Sequence, residues 1–196
     1  MSIQGKGLIE ERLSAANPAE RLFITPVLDQ SQIGGASVDL RLGYDFVTIK
    51  RGNVGLLDPA ELGATRDRFR TPHHLNRRDR FYLHPNEMAL ASTLEYVRLP
   101  LTLAASVTSR SKWGRLGLVI ATATAIHPGF TGTITLELVN HGNVPIVLYP
   151  GLDVAQLILH LAQKATIYSG ELSRQTGPHT TNPVNASGQQ SFWFPP

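Results

Sequence analysis

Gly132-Thr133-Ile134-Thr135-Leu136-Glu137-Leu138-Val139-Asn140 is the stretch on which the fold class turns. Ile134, Leu136 and Leu138 alternate with Thr133, Thr135 and Glu137. That period of two is what a strand with one buried face requires. Working outward, the same kind of segment recurs at short spacing. Downstream lie His141-Gly142-Asn143, a strand over Val144–Tyr149, Pro150-Gly151 and a strand over Val154–Leu161. Upstream lie Pro128-Gly129 and strands over Leu116–Ala125, Leu101–Thr108, Met88–Thr93 and Phe81–Leu83. Gly, Pro and Asn separate them, and only Ser109–Arg115 interrupts the pattern, as a helical turn. Ser37–Ile49 reads as another half-buried strand, with Val38, Leu40 and Leu42 on one side and Asp39 and Arg41 on the other. Many short strands joined by regular turns predict a mainly β chain, a sandwich or jelly-roll barrel.

The remaining segments carry weaker signals. Gly7–Leu13 reads as a short helix, with Leu8, Ile9 and Leu13 sharing a face. Residues 51–80 are polar and rich in breakers, an irregular excursion. After Tyr168 the chain is turn-rich and ends in Phe192-Trp193-Phe194-Pro195-Pro196, an aromatic cluster suited to docking on a neighbour. The expected organisation is one domain over residues 1–178 and a tail over 179–196.

Composition bounds the function. The 196 residues suffice for one domain with a packed core, and 42% hydrophobic content argues against wholesale disorder. The charged fraction of 17% is low, which agrees with surface buried against other subunits. There is no cysteine, so thiol nucleophiles, disulfides and Cys-ligated metals are excluded. No apolar run approaches the ~20 residues of a membrane span. Lys6, Glu10, Glu11 and Arg12 do not suit a signal peptide, so a cytoplasmic protein is expected. Between Lys50 and Arg80 eight basic residues face four acidic ones, an excess of four that is larger than the chain's net charge of +3. With Phe69 the one interleaved aromatic, this reads as a solvated Arg-rich loop, and no nucleic-acid partner is expected.

Two features carry chemistry. Arg110, Lys112 and Arg115 place three cations within six residues, beside Ser109 and Ser111. Guanidinium forks, hydroxyls and backbone N–H groups suit phosphate oxygens, and a basic surface turn is the plain alternative. Glu137 is one of only two acids between Pro100 and Gly170, the other being Asp153. A carboxylate amid a β stretch is costly unless exposed, paired or functional, and a solvent-facing position and a pairing with a nearby arginine both fit. The seven histidines are scattered, and no metal site is read from them.

Five ordered segments carry a resemblance. They are Gly35–Gly43 (GASVDLRLG), Phe81–Pro85 with Ala89–Ala91, and Ser109–Leu118 (SRSKWGRLGL). Ile126–Phe130 with Thr133–Asn140, and Pro150-Gly151 with Ala155-Gln156-Leu157, complete the set. Together they resemble the dCTP deaminases of the trimeric deoxyuridine triphosphatase superfamily, in order from about Gly34 to Gln175. The resemblance implies a distorted jelly-roll with a few short helices and a homotrimer with sites at subunit interfaces. It further implies zinc-independent hydrolytic deamination of a cytosine deoxynucleotide, dCTP to dUTP plus ammonia, at a cyclic amidine C–N bond. Carried onto this chain, Glu137 is the catalytic general base and acid, and Arg115 orients it. Arg110, Ser111 and Lys112 bind the triphosphate, and Ala123 and Thr124 read the cytosine edge. His127, Gln156, Tyr168 and Gln175 complete the expected substrate-binding set. Mg²⁺ is expected on the substrate phosphates, with no metal-binding residue of the protein.

Two departures bear on substrate and product. His127 stands where the superfamily's triphosphatases use an Asp, which argues against added dUTP hydrolysis. Glu171 and Leu172 stand where a Lys-Tyr pair is usual, which points toward a different phosphorylation state. A nucleoside triphosphate pyrophosphatase and a non-catalytic nucleotide-binding trimer are the alternative functions.

Overall fold

The computed structural model describes residues 2–49, 70–121, 125–166 and 174–178. The Phe192-Trp193-Phe194 tail and most of the Arg-rich segment, residues 50–69, lie outside the described residues.

The first helix, α1, spans Lys6–Ser14. Ile9 and Leu13, one turn apart, pack inward, but Leu8 is exposed because an adjacent position points about 100° away. The strands are β1 (Phe23–Thr25), β2 (Val38–Ile49), β3 (Arg70–His74), β4 (Phe81–Leu83), β5 (Met88–Arg98) and β6 (Leu103–Ser109). After a one-turn helix α2 (Ser111–Gly114) come β7 (Leu118–Ile120), β8 (Ala125–Ile126), β9 (Thr131–Asn140), β10 (Ile146–Leu148) and β11 (Asp153–Leu161).

Among the described residues the strands form one curled antiparallel sheet in the order β7-β9-β5-β2-β11-β6-β8. β1 pairs with β5, β3 pairs with β2, and β10 forms a separate ribbon with β4. The mainly β, barrel-like expectation with few helices is met. Curling encloses one core. Val38, Leu40, Leu42 and Phe46 of β2 meet Leu136 and Leu138 of β9 and Leu157 and Leu159 of β11 within it. All eight are fully buried.

Three readings are corrected. Part of the excursion is ordered, since β3 pairs with β2 along Asp45–Ile49. Pro72 is tolerated there because β3 is an edge strand and its missing N–H breaks no ladder. The segment expected as one strand over Leu116–Ala125 is two, β7 and β8, on opposite ends of the sheet. Arg41, expected to point outward, is buried: its guanidinium and backbone N–H meet the fully buried Glu95 of β5. The face of β2 opposite the core is only partly solvated at Asp39 and still less so at Arg41.

Candidate active site

β9 presents Glu137 on the face opposite the core. Ile134, Leu136 and Leu138 are buried, while Thr133, Thr135 and Glu137 are half-buried. Leu90 of β5 lies directly across the ladder from Glu137 and is itself buried on that face. On the other edge the Ala121 N–H donates to the Glu137 carbonyl at 2.8 Å. Partial burial lifts the Glu137 carboxyl above the ordinary glutamate range, because removal from water disfavours the charged form. An acid with a raised pKa, carried on a strand, is suited to giving and taking a proton.

The closing segment lies along this same strand. Gln175 pairs in parallel with Gly132, and its carbonyl accepts the Thr133 N–H at 2.8 Å. Gly132 permits the approach. Its φ is +147°, and a Cβ there would stand 2.8 Å from the Gln175 nitrogen. β7 covers the far end of the same edge, at Leu138–Asn140. Glu137 therefore sits between β7 and the Gln175 segment, four residues, about 13 Å, from Thr133.

The cationic turn is positioned by three adjacent strands. β6 delivers Ser109 opposite Ala155 of β11, and the Arg110 N–H donates to the Val154 carbonyl at 2.9 Å. The chain then folds into α2. Gly117, with φ +91°, packs against the Gly142 backbone and redirects it into β7. Arg110 Nη1 pairs with Asp39 of β2 and stands 2.7 Å from Asp153 Oδ2 of β11. Lys112 Nζ grips both oxygens of Asp153, at 2.7 and 2.8 Å. Gln156 Nε2 donates to Asp39 Oδ1 at 3.2 Å, and the Trp113 indole donates to the Asp153 carbonyl at 2.7 Å.

The structure thus brings Arg110, Lys112 and Gln156 together in one network, closed by two carboxylates that the sequence reading did not assign. Asp153 had a signal, being the second acid in a long acid-poor span. Asp39 had none beyond an alternating polar position, since its partner lies 71 residues away. Ser111 and Arg115 are exposed on and just after α2. His127 is exposed in the turn between β8 and β9, where its carbonyl accepts the Phe130 N–H at 3.1 Å. Ala123, Thr124, Tyr168, Glu171 and Leu172 lie outside the described residues. Among the described residues no three His, Asp or Glu side chains cluster as a metal cage, and both carboxylates beside the turn are engaged by cations. No helix among them is long and apolar enough to cross a membrane.

Comparison with known proteins gives consistent results. The family model described as dCTP deaminase-like matches residues 8–162. A dUMP-forming dCTP deaminase of Methanobrevibacter smithii is 41% identical over 139 residues, covering 70% of this chain and 71% of that protein. A second dUMP-forming dCTP deaminase, of Coprothermobacter proteolyticus, is 36% identical over 184 residues, covering 91% of this chain and 95% of that protein. The crystal structure of 2′-deoxycytidine 5′-triphosphate deaminase from Agrobacterium tumefaciens has the same fold, with a TM-score of 0.62 at 23% identity over 82% of this chain. The chain spans about half of that protein's length, 48%.

Proposed function

Since the chain belongs to the dCTP deaminase-like family, we propose that it hydrolytically deaminates a cytosine deoxynucleotide, converting dCTP and water to dUTP and ammonia. The observation that carries this reading is Glu137, a half-buried carboxyl with a raised pKa on the strand face opposite the core. In the reaction water adds its oxygen to C4 of cytosine and the exocyclic C–N bond breaks. Glu137 takes one proton from the attacking water and passes it to the ring nitrogen, then takes the second from the resulting C4 hydroxyl and gives it to the departing amine, so that the C4 carbonyl forms and ammonia leaves neutral. Arg115 orients that carboxylate and the water. Arg110, Ser111 and Lys112 face the phosphates, with Gln156 bracing them and His127 and Gln175 near the sugar and base. Magnesium is carried by the substrate's own phosphates, so the chain needs no dedicated ligands for it.

The working unit is a homotrimer with composite sites. Support comes from Met88, Leu116 and Val119, apolar yet exposed near Arg115 and on the strands beside Glu137. Mixing Arg115→Ala with Glu137→Gln subunits should restore activity that neither variant has alone, while no recovery would mean both residues act in one protomer.

A second reading concerns the product. Two relatives are named dUMP-forming, which favours a second hydrolysis releasing pyrophosphate. His127, in place of an acid, favours deamination alone. Incubation with dCTP, dCMP and dUTP plus magnesium, with ammonia and pyrophosphate measured separately, decides between them. Glu137→Gln should lower ammonia release by about 10²–10⁴-fold, and undiminished ammonia from this variant defeats the mechanism. If neither product forms from any nucleotide that binds, the chain is a nucleotide-binding protein and not an enzyme.

A further inference from the structure

Two cations at the expected phosphate site are already held by two carboxylates, so the Arg110–Lys112–Asp39–Asp153 cluster carries no net charge. The two carboxylates are not equivalent. Asp39 is the more enclosed, with 17% side-chain exposure, and Gln156 and Arg110 hold both of its oxygens. Asp153 is 36% exposed, and among the described residues its oxygens contact Arg110 Nη1 and the half-exposed Lys112 Nζ. Its backbone is fixed separately. The Trp113 indole clamps the carbonyl, and the ladder between β11 and β2 shifts register between Asp153 and Ala155. The side chain can therefore rotate off the cations without disturbing the strand.

We propose that Asp153 is a specificity-determining residue that occupies the phosphate seat on Arg110 and Lys112 and must be displaced by the substrate's distal phosphates. This rests on the nucleotide-deaminase reading and deepens it. Asp39 stays in place during the exchange and keeps Arg110 aimed. A nucleotide whose phosphates reach the turn gains two cations but breaks their contacts with Asp153. One that stops short gains and breaks nothing there. The chain thereby narrows the advantage of a triphosphate over a monophosphate. Loss of a half-exposed ion pair of this kind is worth about a fivefold change in binding.

Calorimetric titration with inorganic triphosphate, dCTP and dCMP, magnesium present throughout, tests the assignment. Asp153→Asn should bind triphosphate and dCTP about fivefold more tightly and leave dCMP nearly unchanged. Asp153→Glu, which keeps the charge, should stay near wild type. In a Lys112→Met background the gain from Asp153→Asn should shrink, because the seat has lost the cation that Asp153 covers. Unchanged or weaker triphosphate binding in Asp153→Asn, or a gain of equal size for dCMP, overturns the proposal. Inorganic triphosphate has no amine to lose, so its binding is read without turnover, and a chain that binds it as expected but releases no ammonia from dCTP refutes the deaminase reading and leaves the role of Asp153 standing.

Discussion

Asp39 and Arg41 stand two residues apart on β2 and share a face, yet they anchor ionic clusters with different surroundings. Arg41 Nε meets Glu95 Oε1 at 3.0 Å, with side-chain exposures of 11% and 0%. Its backbone N–H reaches the other oxygen at 2.8 Å, and Gln32 donates to Glu95 at 3.0 Å while accepting from the Arg41 guanidinium. Both carboxylate oxygens are engaged and no water-facing side remains. The Arg110–Asp153–Lys112 network is built from the same groups at similar distances, but its members are 27%, 36% and 51% exposed. Gln32 links the two regions, donating to the Asp39 carbonyl at 2.9 Å as well. Distance therefore does not separate them; solvent access does. Burial lifts the Glu95 carboxyl above its ordinary range despite the hydrogen bonds and charge of Arg41 that oppose the shift. Such a pair is costly to break and closed to ligands, whereas the open network is cheap to break and able to exchange partners.

The largest effect expected from this contrast is on stability. Arg41→Met leaves Glu95 buried without its cation and should cost about 3–5 kcal/mol in denaturant unfolding. Adding Glu95→Leu to that variant should recover much of the loss. A double variant as unstable as the single one would mean that packing, not charge, dominates the site. Next in size, Arg110→Ala should raise KM for the nucleotide about tenfold or more, through loss of one charge-assisted phosphate contact. Its unfolding free energy should fall by no more than about 1 kcal/mol, since the pairs it breaks are half-exposed. A stability loss as large as that of Arg41→Met would erase the distinction between the two clusters. Smaller still, Lys112→Met should alter stability by less than about 0.5 kcal/mol.

Glu137 offers a pH test of partial burial. Its folded pKa is raised, so the base form is lost at a higher pH on acidification. The acid limb of kcat/KM should then lie above the ordinary glutamate range and disappear in the residual activity of Glu137→Gln. The sign for stability follows from the same shift. The contribution is present below the unfolded value and is lost as pH rises through the raised folded value. Glu137→Gln should therefore melt slightly higher than wild type at pH 8, and a lower melting temperature would mean that the fold favours the charged carboxylate over the neutral one.

The strand interiors were legible because alternation encodes a buried face directly. Thr133 to Val139 read correctly for that reason, and so did the buried Val38, Leu40 and Leu42. Strand ends were less so: β5 runs on to Arg98, five residues beyond the expected Thr93, because its second half is paired on both sides, by β1 and β9, rather than marked by local composition. Of the site, the three cations of residues 110–115 and the lone Glu137 stood out by charge contrast with their acid-poor surroundings. Asp39 and Glu95 did not, since each is defined by a partner more than 50 residues away.

By itself the sequence determined the mainly β class, most of the strands of the second half of the chain and the residue types available for phosphate and proton chemistry, since these follow from local periodicity and from side-chain chemistry. Only the tertiary structure decided which charges neutralise which. That depends on strand register and on access of water, and placing Arg41 out of solvent while leaving Asp153 partly in it turned two similar sets of ions into a structural clamp and an exchangeable seat.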